Sequence, residues 1–342
     1  MTTYIAIGWL PAAFLITWVL TRAAIHYAHR RGMLDQPGQR RSHHQPTPRG
    51  GGIGIVIAML GCAPATLRSL PAAWPSGVVA ALLVALFLVA LAGWWDDHRA
   101  LPVLPRLAAQ LLGAGTFSLA LVMTDLSWWW LPLLLAGGVW SINLHNFMDG
   151  IDGLLAQQAV FVGCGLAWLA WTATQPALAF AAASLAAAAL GFGWYNWPPA
   201  RIFMGDVGSG SIGLLIFAFS AMLWRVDHAL LWPALILSSA FVVDASLTLL
   251  ARVFGGRRWY TAHREHLYQW LVRRDATHAQ VDIAYLGWNL LIAAPSAWLA
   301  CSHPRMALPA TMAVYLAAAA MWLLLKRRCL RRHRGKASHV TA

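Results

Sequence analysis

The chain is short of charge. Of its 342 residues only 11% are Asp, Glu, Lys or Arg, whereas 59% are hydrophobic. A water-soluble domain of this length carries roughly 25% charged residues, so a soluble globular fold is excluded before any motif is read. Acid is scarcer still, with 12 Asp and Glu against 25 Lys and Arg. Cysteine is sparse: Cys62, Cys164, Cys301 and Cys329 show no CxxC spacing, and two of them lie inside apolar runs. That excludes a disulfide framework and a cysteine zinc site. The N-terminus lacks the basic n-region of a cleaved signal, and its first apolar run is long, so it reads as a retained span. No polar stretch is long enough to form a separate soluble domain.

What the chain does have is apolar runs from end to end. Candidate spans fall at about 4–25, 52–67, 77–95, 107–123, 128–142, 155–173, 177–195, 210–224, 229–250, 283–300 and 306–325. Backbone groups in lipid must be satisfied within a helix or a closed barrel. These runs are too long and too rich in Leu and Ala for barrel strands. The expected fold is therefore an all-α, polytopic transmembrane bundle of about eleven spans, occupying 1–325, with a basic tail at 326–342. The Ala-rich stretch 181–189 predicts a small-residue face for close helix packing.

The basic excess does not call for nucleic acid. Alternate loops, together with Arg22 near the end of its span, hold all of the 25 basic residues except Arg68, Arg225 and Arg305. The positive-inside rule then places the N-terminus outside and the tail in the cytoplasm. The polar clusters fall on that same cytoplasmic set of loops, so they can converge on one cytoplasmic-facing cleft.

The first cluster runs from Asp35 to Gly52 and combines Arg40, Arg41, His43 and Arg49 with three consecutive glycines. It reads either as an ordinary positive-inside loop or as a phosphate site whose glycine amides approach the ligand. The second is Asp96-Asp97, after Trp94-Trp95; paired carboxylates at an apolar boundary need metal, cations or water. The third is Asn143-x-x-Asn146-x-x-Asp149-Gly-Ile-Asp152-Gly. Its period of three would put hard oxygen donors on one helical face, suited to Mg²⁺. The fourth runs from Asn196 through Phe203-Met-Gly-Asp206-Val-Gly-Ser209, where a carboxylate opens an apolar helix, a good place for a diphosphate and its cation. The fifth is His263-Arg264-Glu265-His266-Leu-Tyr268-Gln269, whose histidines can contact phosphate or simply sit at the interface. Asp244, an acid inside a span, is a functional-site candidate that could pair with Arg252 or support the site.

In this order the motifs resemble those of the polyprenyl-phosphate N-acetylhexosamine-1-phosphate transferases, the glycosyltransferase 4 family of the MraY translocase and the WecA and WbpL O-antigen initiators. The resemblance runs from about residue 35 to 270. It implies a helical bundle with a cytoplasmic cleft, and Mg²⁺ (or Mn²⁺ in its place) on Asp206 and Asn146. Catalytic groups are expected among Asp96, Asp97, Asp149, Asp206, His263 and His266. Substrate contacts are expected from Arg41, His43, Arg49, Asn143, Asp152, Asn196, Phe203 and Arg264, with Phe203 stacking on uracil. Two departures matter. The first loop offers Arg and His where translocase relatives carry Lys, and the histidine motif reads His-Arg-Glu-His rather than His-x-His-His. Both favour the WbpL-like branch over a muramyl-pentapeptide substrate.

The implied reaction transfers N-acetylhexosamine-1-phosphate from a UDP-N-acetylhexosamine to undecaprenyl phosphate in the bacterial inner membrane, releasing UMP and initiating O-antigen or another surface polysaccharide. The expected partners are those two substrates and the bilayer, with room for a homodimer and none for nucleic acid. The rival is a secondary transporter of an anionic solute. It would place ionisable groups near the midplane and show internal repeats; only Arg22 and Asp244 fall inside the candidate spans.

Overall fold

The computed structural model describes residues 2–36, 46–257 and 264–340. The order is α1 (Thr2–Arg31), β1 (Leu34–Asp35), β2 (Thr47–Pro48), α2 (Ile53–Ser69), α3 (Ser76–His98), α4 (Val103–Val122), α5 (Leu131–Phe147), α6 (Leu154–Thr172), α7 (Pro176–Asn196) and α8 (Asp206–Val226). It continues through α9 (Leu231–Leu237), α10 (Ser239–Phe254), α11 (Leu267–Val272), α12 (His278–Trp288), α13 (Ala294–Ser302) and α14 (Pro304–Val340). Each of the eleven candidate spans contains a helix. Among the described residues, seven helices are long and apolar enough to cross a membrane, or eight if a bent pair counts as one span. The protein is an all-α, multi-pass membrane protein.

The bent pair is α9 and α10, which meet at Ser238 at 76°. The sequence predicts one straight run over 229–250, because neither Gly nor Pro marks that junction. A second departure from a purely helical chain is the antiparallel pair β1–β2, in which Leu34 faces Pro48 and Asp35 faces Thr47. It ties together the two ends of the first basic loop. The basic tail is no separate unit, since α14 continues through 326–340 without a break.

The centre of the bundle is α8. Of its apolar window 89% is buried, against 17% for α1. Helices α3 and α5 pack along it, while α7 lies between α1 and α6. The alanines of α7 supply the predicted close face: Ala181, Ala182, Ala188 and Ala189 are fully buried. A helix surrounded on all sides presents its first turn to whatever lies at the mouth of the bundle. The first residue of α8 is Asp206.

Candidate active site

The start of α8 is built from three segments. Its first amides are orphan donors, and the N-terminus carries about half a positive charge. Asp97, at the end of α3 and only 3% exposed, meets both needs. Its Oδ1 accepts from the Asp206 amide at 3.0 Å and its Oδ2 from the Val207 amide at 3.2 Å. Gly205, at φ 75°, lies against this carboxylate so closely that a Cβ there would collide with it. At the other side Arg49 complements the negative C-terminal end of α3. Its Nε and Nη2 donate to the Asp97 carbonyl at 3.0 and 2.6 Å, and Nη2 also reaches the Asp96 carbonyl at 3.2 Å. Asp97 therefore faces the protein interior, and its link to any ligand runs through the helix it caps.

The second carboxylate of the pair turns the other way. Asp96 accepts from the Leu101 amide at 2.6 Å, and its Oδ2 lies 3.5 Å from Arg106 Nη1. The same Arg106 nitrogen is 3.3 Å from Asp206 Oδ2. Asp96 and Asp206 stand within hydrogen-bonding reach of each other, with the Asn146 amide beside Asp206. Asn146 Nδ2 also donates to Ser209 Oγ at 3.0 Å. Beside them lies a cavity of about 20 Å³ lined by Gly93, Arg106, Gln110, Asn146 and Asp206, which Asp96 adjoins through Arg106. That volume holds one water or one ion, so a diphosphate would lie at its mouth rather than inside.

Asp206, Asp96 and the Asn146 amide are hard oxygen donors of the kind that suit Mg²⁺. Two carboxylates sharing one guanidinium leave negative charge that a divalent cation would balance. The residues thus fit the expected metal, with Asp206 and Asn146 to hold it. Among the described residues no three His, Cys, Asp or Glu side chains form a closed cluster that could hold a metal alone. A cation here would therefore need water or substrate oxygens to complete its shell.

The loop after α5 forms the next wall. The helix ends at Phe147, so Asp149 leaves the helical face that the period of three predicts. Burial, together with the negative charges of Asp206, Asp97 and Asp152, pushes the Asp149 carboxyl well above the usual carboxylate range. Asn143 points to α4, where its Nδ2 donates to Gln110 Oε1 at 2.7 Å. Asp152 accepts from the Ala200 amide at 3.0 Å and sits 3.3 Å from His278 Nδ1. Asn196, 3% exposed, binds the Gly153 amide through Oδ1 and the Ile202 carbonyl through Nδ2, both at 2.9 Å. It ties two loops together. Phe203 is half-buried on that second loop, and its amide donates to the Pro48 carbonyl at 2.8 Å.

Several expectations change. The amides of Gly51 and Gly52 do not face a phosphate; they donate to the Phe203 and Met204 carbonyls at 3.0 and 2.9 Å. The glycine run is a pairing strip that lets backbone pack on backbone. Asp244 does not pair with Arg252, which binds Glu265 instead. His266 does not reach outward to phosphate. Its ring is 2% exposed and stacks near Phe147 and Tyr268, at interplanar angles of 28° and 19°. Because α11 begins only at Leu267, His266 is its N-cap, and its amide donates to Gln269 Oε1 at 3.3 Å. Arg264 lies close enough for its charge to be felt at Tyr268. Arg41, His43 and His263 lie outside the described residues.

Three residues at or beside the site escape the motifs. Arg106 and Gln110 stand four apart on α4, and their only sequence signal was that spacing beside the Asp pair. Asp282, on α12, is fully buried and lies against Gly153. It lies just outside the apolar run at 283–300, so the sequence does not mark it as an intramembrane acid.

The sequence resembles those of known proteins. Residues 79–224 match the family described as Glycosyl transferase family 4, a stretch that includes Asp96, Asp97, Asn146, Asp149 and Asp206. The chain is 31% identical over 328 residues to the decaprenyl-phosphate N-acetylglucosaminephosphotransferase of Mycolicibacterium smegmatis, covering 82% of this chain and 79% of the relative. It is 30% identical over 316 residues to the phospho-N-acetylmuramoyl-pentapeptide-transferase of Thermosynechococcus vestitus, covering 84% and 79%. The decaprenyl-phosphate enzyme of Mycobacterium tuberculosis is 27% identical over 340 residues, covering 86% and 82%. With its motifs, its helical bundle and these relatives in agreement, the chain belongs to the polyprenyl-phosphate hexosamine-1-phosphate transferases.

Proposed function

We propose that this protein transfers N-acetylhexosamine-1-phosphate from a UDP-sugar to undecaprenyl or a related polyprenyl phosphate, with Mg²⁺ or Mn²⁺ at the start of α8. The observation that carries the reading is convergence. Arg106, Asn146 and Asp206 come from three separate elements and line one ion-sized cavity, and Asp96, from a fourth, joins them through Arg106. A secondary transporter would place its ionisable groups near the bilayer midplane, whereas these stand at the ends of α3 and α5 and at the starts of α4 and α8. Eleven crossings with the N-terminus outside would place this pocket at the cytoplasmic face, where the basic loops lie.

In the proposed step an oxygen of the lipid phosphate attacks the sugar-linked phosphorus. The new P–O bond forms as the bond to the UMP oxygen breaks, and UMP leaves with the electron pair. A bound cation would neutralise the diphosphate and act as a Lewis acid on its oxygens. Asp206 and Asn146 would hold that cation. Arg106, freed from Asp206 by the cation, would turn its guanidinium to the incoming phosphate, which it matches in shape and charge. Asp97 would keep the α8 amides fixed. A phosphate monoester has a second pKa near 6, so the nucleophile is already ionised at neutral pH and needs no general base.

The mycobacterial relatives are named for N-acetylglucosamine and the cyanobacterial one for muramoyl-pentapeptide. The Arg- and His-bearing first loop favours a plain N-acetylhexosamine, and a product that starts O-antigen or another surface polysaccharide. The test is Mg²⁺-dependent UMP release by the detergent-solubilised protein, with undecaprenyl phosphate and a panel of UDP-N-acetylhexosamines. Lipid-linked product with at least one member supports the reading; no product with any of them, with or without divalent cation, ends it.

A further inference from the structure

We propose that Tyr268 is a positioning residue that holds the Asp149 loop in register with the cation pocket. This rests on the transferase reading given above and adds a role that the motif pattern does not assign. The anchor is Asp244, 2% exposed within α10. Its Oδ1 accepts from the Leu267 amide at 2.7 Å, Trp322 Nε1 at 3.0 Å and Thr248 Oγ1 at 3.2 Å. Its Oδ2 accepts from the Tyr285 hydroxyl at 2.7 Å and the Tyr268 amide at 3.4 Å. Donors from α10, α11, α12 and α14 converge on one carboxylate, so the first turn of α11 is pinned to the bundle interior.

From that fixed turn the Tyr268 side chain, fully buried, reaches back to the end of α5. Its hydroxyl donates to the Phe147 carbonyl at 2.9 Å. Gln269 Nε2 donates to the Tyr268 hydroxyl oxygen at 3.0 Å, which leaves the hydroxyl proton directed at Phe147. On the far side of Asp149 lies Gly150. A Cβ there would collide with the Tyr268 hydroxyl and come within 3.1 Å of ring carbon Cε2. Tyr268 therefore grips the residues on both sides of Asp149, one by a hydrogen bond and one by flat packing. The stacked His266 ring backs the phenol. Asp149 has no comparable grip of its own, so its place relative to Asp206 follows from the tyrosine. A displacement of about 1 Å at a reacting group can cost up to 10²-fold in rate.

The test uses the full-length protein in nanodiscs, as wild type, Tyr268→Phe and Gly150→Ala. Tyr268→Phe removes one oxygen and keeps the ring. The expected result is a fall of about tenfold or more in kcat, with KM for both substrates within about twofold and Tm nearly unchanged. Amide exchange in 148–153 should accelerate in the same variant, and Gly150→Ala should reproduce both effects. The proposal is overturned if Tyr268→Phe keeps wild-type kcat and wild-type exchange in 148–153. It is also overturned if the loss appears only as lowered Tm with exchange accelerated throughout the chain. If the wild type transfers no phosphosugar, the transferase reading fails, while the exchange experiment still decides whether Tyr268 holds the loop.

Discussion

Two buried aspartates do the same structural job at two places, and the contrast between them separates scaffold from chemistry. Asp97 caps α8 and Asp244 caps α11, each through two backbone amides. Asp244 also receives a tyrosine hydroxyl, an indole N–H and a threonine hydroxyl, so its charge is spread over five donors. Asp97 has only its two amides and stands among Asp206, Asp149 and Asp96. A carboxylate with that many donors is a finished node. Asp96 and Asp206, sharing Arg106 beside Asp97, leave negative charge that a bound cation would balance. The same capping geometry thus serves a locked joint at α11 and a poised one at α8.

The sharpest way to break the comparison is to remove charge on the poised side. Asp206→Asn should lower transfer by about 10³-fold or more, because the expected metal ligand is lost, with Tm in the absence of divalent cation unchanged or raised. Steady-state UMP release and a thermal scan check both halves. Asp244→Ala should do the reverse in kind. It strands several buried donors, each costing about 1–3 kcal/mol, so the loss should appear chiefly as reduced Tm and reduced yield of folded protein. If Asp244→Ala left Tm untouched, the locked-joint description would fail.

A smaller effect is expected at Arg106. Arg106→Ala should cut kcat/KM by about 10²-fold, while Arg106→Lys recovers only part, since an ammonium cannot match the planar guanidinium fork against a phosphate. Equal activity of the two variants would show that the fork geometry is irrelevant. The smallest effect is a pH dependence. A carboxyl whose folded pKa is raised holds its proton more tightly when folded, so stability is greatest at low pH and falls as pH rises through the folded value. For Asp149, raised by burial and by the charges of Asp206, Asp97 and Asp152, Tm without divalent cation should drop as pH rises above the usual carboxylate range. That drop should shrink in Asp149→Asn and on adding Mg²⁺.

Much of this was legible in the sequence. The apolar runs placed a helix in every expected segment, and the spacing of Asp96, Asn146, Asp149 and Asp206 on one set of loops foretold their convergence. What was not legible is direction. Asp96 and Asp97 are adjacent, yet Asp97 caps a helix in the interior and Asp96 turns to Arg106; a helical step of about 100° between neighbours decides this. The glycine run looked like a phosphate cradle because free and paired amides read alike in sequence. Arg106 and Gln110 carry no motif of their own and gain meaning only when α4 is laid beside α5. The break at Ser238 has no Gly or Pro to announce it; tertiary packing makes it.

The most direct measurement is Mn²⁺ binding, followed by electron paramagnetic resonance on purified protein with UDP-N-acetylglucosamine, comparing wild type with Asp206→Asn. A single ion per wild-type chain, with affinity lost by about tenfold or more in the variant, is the predicted result. Equal binding by both proteins would contradict a cation site at the head of α8.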